Sequence, residues 1–165
     1  MKDRNYLIRI DSVIEDARRD EKPETIQLMT RGNFLRKDGN FFIVYDETEA
    51  TGLAGCTTTI KVSEDAKCVS MLRSGPLPSH LVIEKGTRHM CHYETELGDL
   101  TLGIAADSIC HTLDDRGGKV KFSYTLDSGD TELLTCNRID VTVTPITKQE
   151  APLSRPKRKN RPSNN

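Results

Sequence analysis

Residues 24–48 read ETIQLMTRGNFLRKDGNFFIVYDET, and this stretch decides the fold class. It holds two runs of strand-like composition on either side of residues 37–40, Lys-Asp-Gly-Asn. Asp-Gly accepts the positive φ angles of a tight primed turn, which makes it the strongest hairpin signal in the chain. The first run places Ile26 and Phe34 on one parity and Gly32 where a bend or bulge is expected. The stretch predicts an antiparallel β-hairpin with one apolar face.

The same alternation recurs along the chain as about ten short runs between Tyr6 and Val143. The clearest run is residues 120–126, in which Val, Phe, Tyr and Leu alternate with Lys, Ser and Thr. Two to six residues join most successive runs, and connections this short make sequential strands antiparallel neighbours. Because a twisted meander tends to curl and close, we predict an all-β antiparallel barrel of about 8–10 strands. A two-sheet sandwich with Greek-key crossovers is the alternative, but it needs longer connections.

Length and composition fit one domain and a tail. The chain has 165 residues, of which 35% are hydrophobic and 30% are charged, a balance that suits strands with one buried face. We predict a barrel domain over residues 1–147 and a tail over 148–165. No run approaches the roughly 18 apolar residues of a membrane-spanning helix, and residues 1–5 lack the apolar core of a signal peptide. The expected location is the cytoplasm, without membrane insertion.

Charge is divided unevenly between the body and the tail. The net charge is −1, but residues 151–165 carry five cations and no acidic residue, so the other 150 residues sum to −6. Low apolar content predicts a disordered tail. Its candidate contacts with RNA or a protein partner are Arg155, Lys157, Arg158, Lys159 and Arg161. The tail has no aromatic residue that could stack on bases, and a purely solubilising role is the alternative.

The cysteines and histidines do not form a recognisable metal motif. Five cysteines are widely spaced and include no Cys-x-x-Cys pair, which predicts reduced thiols packed as small hydrophobic residues. Residues 89–92, His-Met-Cys-His, would offer only two ligands from one face of a strand, and no second pair follows at zinc-site spacing. We predict no metal site and no cofactor.

Motifs of catalysis and nucleotide binding are also lacking. The chain has no Gly-x-Ser-x-Gly nucleophile elbow, and its glycines lie in isolated turns rather than in a phosphate-binding loop. The sequence therefore favours a binding protein over an enzyme.

Arg73 is the most informative candidate for a binding site. It shares strand parity with Val69 and Met71, so it points into the barrel if those two residues line the core. An inward arginine is costly unless it pairs with a carboxylate, which Glu94, Glu84 or a ligand could provide. A structural ion pair or a position at the rim are the alternatives. The other polar residues expected at this end of the barrel are Tyr45, His80, His92, Tyr93 and Glu94.

Several segments together resemble one bacterial family. They are residues 41–45 with Glu49, 57–62, 71–75, 80–86, 93–100 and 113–126. The Arg-Ser-Gly of 73–75 and the Tyr-Glu-Thr-x-x-Gly of 93–98 are the most specific parts. The chain is similar to the YwiB-like family, a domain of unknown function. This resemblance implies a calycin-like barrel, related in shape to lipocalins and fatty-acid-binding proteins, but no activity to carry over.

Two functions follow as hypotheses. In the first, the barrel binds a small, partly apolar anion in its interior or mouth. Arg73 is then the charge anchor, because fatty-acid-binding barrels hold a carboxylate with an interior arginine, and Tyr45, His92, Tyr93 and Glu94 shape the mouth. In the alternative, a filled barrel acts as a scaffold that docks on a protein or RNA partner, aided by the basic tail. The apolar set at residues 120–126 and 139–143 is large enough to fill a narrow barrel.

Overall fold

A computed structural model describes residues 4–95, 98–130 and 132–147, and for residues 93–95 it describes the backbone only. The strands are β1 (Tyr6–Asp16), β2 (Glu24–Lys37), β3 (Asn40–Asp46), β4 (Thr57–Ser63), β5 (Cys68–Ser74), β6 (Ser79–Glu84), β7 (His89–Thr95), β8 (Gly98–His111), β9 (Gly118–Asp127) and β10 (Leu133–Pro145). A 3-10 helix over Glu49–Thr51 is the one helical segment in these ranges. No helix in the described part of the chain is long and apolar enough to cross a membrane.

The strands form a ring in sequence order. Each strand pairs antiparallel with the next, and β10 returns to pair with β1. Between β6 and β7 the register joins Ser79 to Tyr93. The predicted meander barrel is confirmed, and the ten strands are consistent with the calycin-like barrel that the family resemblance implies.

The hairpin expected at residues 37–40 joins β2 to β3. Lys37 pairs with Asn40, and Asp38 and Gly39 both have positive φ, at 54° and 78°. These angles are those that a primed two-residue turn requires.

Gly32 lies where β2 changes its pairing partner. The strand pairs with β1 through residues 24–32 and with β3 through residues 32–37. A Cβ at Gly32 would lie 2.3 Å from the carbonyl oxygen of Val44 and 2.4 Å from Cδ1 of Ile8. Gly32, where a bend or bulge was expected, therefore lies where the backbones of β2 and β3 approach each other closely inside the barrel.

A bulge in β8 changes which residues face inward. The register with β9 shifts between Ala106 and Ser108. Before the shift Leu102 and Ile104 are buried, and after it Ile109 is buried. One extra residue thus moves the inward parity from even to odd numbers within a single strand.

Arg36 braces one end of the barrel, which we call the closed end. Its Nε and Nη2 donate to the two carboxylate oxygens of Glu64 at 2.7 and 3.0 Å, and its Nη1 donates to Asp115 at 2.9 Å. Its guanidinium carbon also lies 5.5 Å from the centroid of the Phe41 ring. Because Glu64 follows β4 and Asp115 precedes β9, the brace joins β2 to two turns.

We expect Arg36→Ala to lower Tm most near neutral pH and progressively less in acid. Hydrogen bonds from Arg36 hold the pKa of Glu64 below its usual value of 4.5. A carboxyl with a depressed folded pKa stabilises the fold above its unfolded pKa, and this contribution is lost as pH falls through the folded pKa. The gap in Tm between wild type and variant should therefore shrink below pH 4.5, as thermal melts followed by circular dichroism would measure.

Arg116→Ala is the matched control for the brace. Arg116 is an exposed cation in the same turn as Asp115, so its removal should give a Tm change without this pH dependence. A constant gap between wild type and Arg36→Ala from neutral to acid pH would contradict the prediction.

Candidate ligand cavity

The inner faces of β3 to β6 carry three rows of residues in register. The lower row, nearest the closed end, is Phe41, Val62, Val69 and Ile83; the middle row is Ile43, Ile60, Met71 and Leu81; the upper row is Tyr45, Thr58, Arg73 and Ser79. The lower row is aromatic and aliphatic, whereas every member of the upper row carries a polar group. The interior therefore becomes polar in one direction along the barrel axis.

A cavity of about 260 Å³ lies at the end marked by the upper row, which we call the mouth. The middle row contributes Ile60, Met71 and Leu81 to it, and the upper row contributes all four of its residues. The other side chains that line it are Ile10, Ser12, Ile14, Ile26, Leu28, Glu47, Thr51, Leu53, Tyr124 and Ile139. The cavity thus has apolar walls and a small group of polar residues near its opening, as ligand sites usually do.

The closed end is packed with side chains. Phe41 and Phe34 stack with ring centroids 5.9 Å apart, and Phe122 and Tyr124 stack at 6.3 Å. Phe122 is 1% exposed. The apolar set over 120–126 and 139–143 is thus divided between core and cavity: Val120, Phe122, Val141 and Val143 are buried in the core, whereas Tyr124 and Ile139 line the cavity.

Arg73 lies on the inner face of β5 with Val69 and Met71, as strand parity predicts. It is half-buried and lines the cavity. Its Nε donates to the carbonyl oxygen of Leu77 at 2.6 Å. Leu77 lies in the loop between β5 and β6, so this bond holds the guanidinium against the rim of the mouth.

Glu47 connects the mouth to the loop that follows β3. Its Oε1 accepts a hydrogen bond from the Thr51 hydroxyl at 2.9 Å, and its Oε2 accepts one from the Thr58 hydroxyl. Its backbone N–H donates to the carbonyl of Cys56 at 2.8 Å. The Thr48 hydroxyl caps the 3-10 helix in the same loop by accepting from the amide of Ala50. These bonds hold residues 47–56 beside the cavity.

The phenol of Tyr45 is influenced by both charged groups of the mouth. Burial is the main cause that raises the pKa of its phenol, and the negative charge of Glu47 raises it further. The positive charge of Arg73 acts in the opposite direction and lowers this pKa. The phenol therefore stays protonated at neutral pH and can donate a hydrogen bond.

Comparisons with known proteins bear on the same region. The sequence profile of the family described as "Domain of unknown function (DUF1934)" matches residues 8–139, most of the chain. The chain belongs to this family. The crystal structure of the YwiB protein from Bacillus subtilis is similar, with a TM-score of 0.67 and 27% sequence identity over 83% of this chain and 89% of that one. A search of curated proteins finds no match.

The resemblance to the YwiB-like family is thus confirmed. Residues 8–139 of the DUF1934 domain include every residue that lines the cavity, from Ile10 to Ile139. The mouth is therefore part of the family domain and not of its extensions.

Of the other residues predicted at the mouth, His92 lies elsewhere in the DUF1934 domain. Its side chain is exposed, and its Nδ1 lies 3.4 Å from the Thr101 hydroxyl. It alternates with the buried Cys91 and so occupies the outer face of β7. The backbone of Tyr93 extends the upper row, opposite Ser79. The side chains of Tyr93 and Glu94 lie outside the described residues.

Two further residues considered for this end of the barrel also face elsewhere. Glu84 lies at the opposite end of β6 from Ser79, and its Oε1 is 2.8 Å from Nε2 of His89. Glu84 as a partner for Arg73 is therefore wrong, because the length of β6 separates them. His80 is exposed, since it alternates with the buried Leu81 on β6.

The five cysteines of the DUF1934 domain are free thiols, as predicted. Their predicted packing as small hydrophobic residues is correct for the buried Cys56 and Cys91 but wrong for Cys110, which is exposed. Burial raises the pKa of the Cys68 and Cys91 thiols, which makes them poor nucleophiles at neutral pH. Within the described residues, no group of three or more His, Cys, Asp or Glu side chains is placed to hold a metal ion. The tail cations Arg155, Lys157, Arg158, Lys159 and Arg161 lie outside the described residues, and their contacts with a partner remain a prediction.

Sequence reasoning missed five polar residues that line the cavity, namely Ser12, Glu47, Thr51, Thr58 and Ser79. Thr58 and Ser79 share parity with the inward residues Ile60 and Leu81, so alternation alone could have placed them inside. Glu47 follows the end of β3, where no parity applies. Its position depends on bonds to Thr58 on the next strand and to the loop, which no local pattern specifies.

Proposed function

We propose that this DUF1934 domain is a binding protein that holds a small, partly apolar organic anion in the cavity at the mouth. Arg73 is the charge anchor, and the phenol of Tyr45 is a hydrogen-bond donor beside it. One observation carries the proposal: the cavity has apolar walls, and a half-buried arginine lines it in the upper row.

The size of the cavity limits the ligand. An engineered apolar cavity of about 150 Å³ holds a benzene molecule, and the cavity here measures about 260 Å³. A ligand with one ring or a branched aliphatic chain and one charged group therefore suits the space. A long acyl chain is too large to be enclosed.

The physical basis of affinity differs between the two parts of the ligand. Contact with the apolar wall contributes about 25 cal/mol for each Å² of apolar surface removed from water. A carboxylate that reaches a guanidinium in a partly desolvated site makes charge-assisted hydrogen bonds, which are stronger than bonds between neutral groups. Arg73 should therefore decide whether an anion is preferred over a neutral molecule of the same shape.

We expect Arg73→Met to weaken the binding of 3-phenylpropanoate by about 10- to 100-fold, because a hydrogen bond to a charged group contributes about 1.5–3 kcal/mol. Methionine keeps an unbranched apolar stem at this position, so the fold should be retained. Isothermal titration calorimetry measures the affinity, and circular dichroism verifies the fold.

Arg31→Ala provides the matched control for loss of positive charge. Arg31 is exposed on β2 and does not line the cavity, so its removal should leave the affinity unchanged. Equal affinities for wild type and Arg73→Met would remove Arg73 as the anchor. An equal loss in Arg31→Ala would show that only net charge matters.

A further inference from the structure

The mouth contains a carboxylate as well as a guanidinium. Glu47 and Arg73 line the same cavity, and both adjoin Thr58: Arg73 is its register partner, and Glu47 accepts a hydrogen bond from its hydroxyl. A site for a plain anion gains nothing from a second negative charge, since like charges repel. A ligand that carries one positive and one negative group is electrostatically complementary to both residues.

We propose that the ligand is a zwitterion of the apolar α-amino acid class, whose carboxylate binds Arg73 and whose ammonium binds Glu47. The apolar side chain then lies against the isoleucine, leucine and methionine residues deeper in the cavity. This inference rests on the proposed binding function and specifies its ligand further.

The acceptor capacity of Glu47 supports this assignment. A carboxylate offers about four acceptor sites; the hydroxyls of Thr51 and Thr58 each use one, and the Tyr45 phenol is a third hydrogen-bond partner of the group. These bonds orient both oxygens of the group at the edge of the cavity. A ligand ammonium can add an N–H donor there without displacing either threonine.

Both charges also act on the phenol of Tyr45, which lines the same cavity. The charge of Glu47 raises the pKa of this phenol, and the charge of Arg73 lowers it. A compact α-amino acid has its ammonium and carboxylate on a single carbon, so it presents both charges within the region that Glu47 and Arg73 line.

An alternative role for Glu47 is to fasten the loop over residues 47–56. The two roles predict different specificities. If Glu47 only fastens the loop, its loss should weaken the binding of amino acids and of their deaminated analogues to the same extent. If Glu47 binds an ammonium, its loss should weaken the binding of the amino acid alone, because the deaminated analogue has no ammonium to pair with it.

The test uses two matched pairs of probes: phenylalanine with 3-phenylpropanoate, and leucine with 4-methylpentanoate. Calorimetry measures the affinity of each probe for wild type and for the near-isosteric variant Glu47→Gln. In wild type we expect at least one amino acid to bind about 10-fold or more tightly than its deaminated analogue. In Glu47→Gln that preference should fall to about one, while the affinity for the deaminated acid is kept or increased, because Glu47 no longer repels its carboxylate.

Thr48→Ala is the control for the loop. It removes the hydroxyl that caps the 3-10 helix of the loop, and Thr48 does not line the cavity, so the variant should preserve the preference for the amino acid. Loss of the preference in Thr48→Ala to the same extent as in Glu47→Gln would assign Glu47 to the loop and overturn the inference.

The outcomes separate this inference from the proposed function. If the deaminated acids bind wild type as tightly as the amino acids and depend on Arg73, the anion site stands and the zwitterion assignment fails. If no acid and no amino acid binds wild type at millimolar concentration, both proposals fail.

Discussion

Replacing Phe122 by alanine should lower the free energy of unfolding by about 3–5 kcal/mol. Phe122 lies in the middle of β9, is 1% exposed and stacks against Tyr124. Its side chain is part of the buried core, and the neighbouring strands belong to a closed barrel. The surrounding strands cannot move in to fill the space left by the Phe122 side chain, so the variant loses both buried apolar area and packing contacts. Urea denaturation followed by circular dichroism measures the change.

A matched pair of isoleucines tests the division of the barrel into a packed end and a hollow end. Ile83 is 0% exposed in the lower row, and Ile83→Ala should cost about 2–5 kcal/mol. Ile26 is half-buried and already borders the cavity, so Ile26→Ala should cost much less. Equal losses of unfolding free energy at the two positions would mean that the mouth is packed as tightly as the closed end. The cavity would then lose its support as a ligand site.

Gly32→Ala should lower the free energy of unfolding by about 3 kcal/mol, at the upper end of the range for overpacked cores. The added Cβ would lie 2.3 Å from the carbonyl oxygen of Val44 and 2.4 Å from Cδ1 of Ile8. The Ile8 methyl can move to another rotamer, but the Val44 carbonyl belongs to β3 and is fixed by the sheet. Relief therefore requires β2 and β3 to separate at the point where β2 changes partner.

Gly103→Ala is the control for Gly32→Ala. It is also a glycine within a strand, and its added Cβ would meet the ends of Asp127 and Arg88 at 2.3 and 2.4 Å. Those atoms are the far ends of two side chains that form an ion pair at 2.6 Å, with the Arg88 side chain 41% and the Asp127 side chain 15% exposed. The expected cost is about 1–2 kcal/mol, less than at Gly32, because side-chain ends can shift more easily than the backbone of a strand. If Gly32→Ala lowers the free energy of unfolding no more than Gly103→Ala does, β2 and β3 can separate as easily as two side-chain ends move.

Alternation and turn chemistry were sufficient for the fold. Asp38 and Gly39 take the positive φ angles expected of their turn, because few other residue pairs accept that geometry. The short connections predicted neighbouring antiparallel strands, and the ring follows sequence order throughout. Both inferences depend on local sterics and on the length of the connections, and both of these are set within a few residues.

Local patterns failed where the chain departs from regular alternation. The bulge between Ala106 and Ser108 reverses the inward parity of β8, and nothing in the run of residues 100–113 marks it. The outward position of His92 has a different origin, because it follows regular alternation with the buried Cys91. A single unrecognised shift moves every later side chain to the other face of a strand.

The sequence by itself determined an antiparallel barrel and the inward parity of Arg73, because alternation and tight turns are properties of neighbouring residues. Only the tertiary structure decided that the interior is filled at one end and open at the other. That division depends on which rows of β3 to β6 come into register and on the side chains that β9 and β10 bring across the barrel. The meeting of Glu47 with Arg73 at the mouth arises in the same way, from pairing between strands that are distant in sequence.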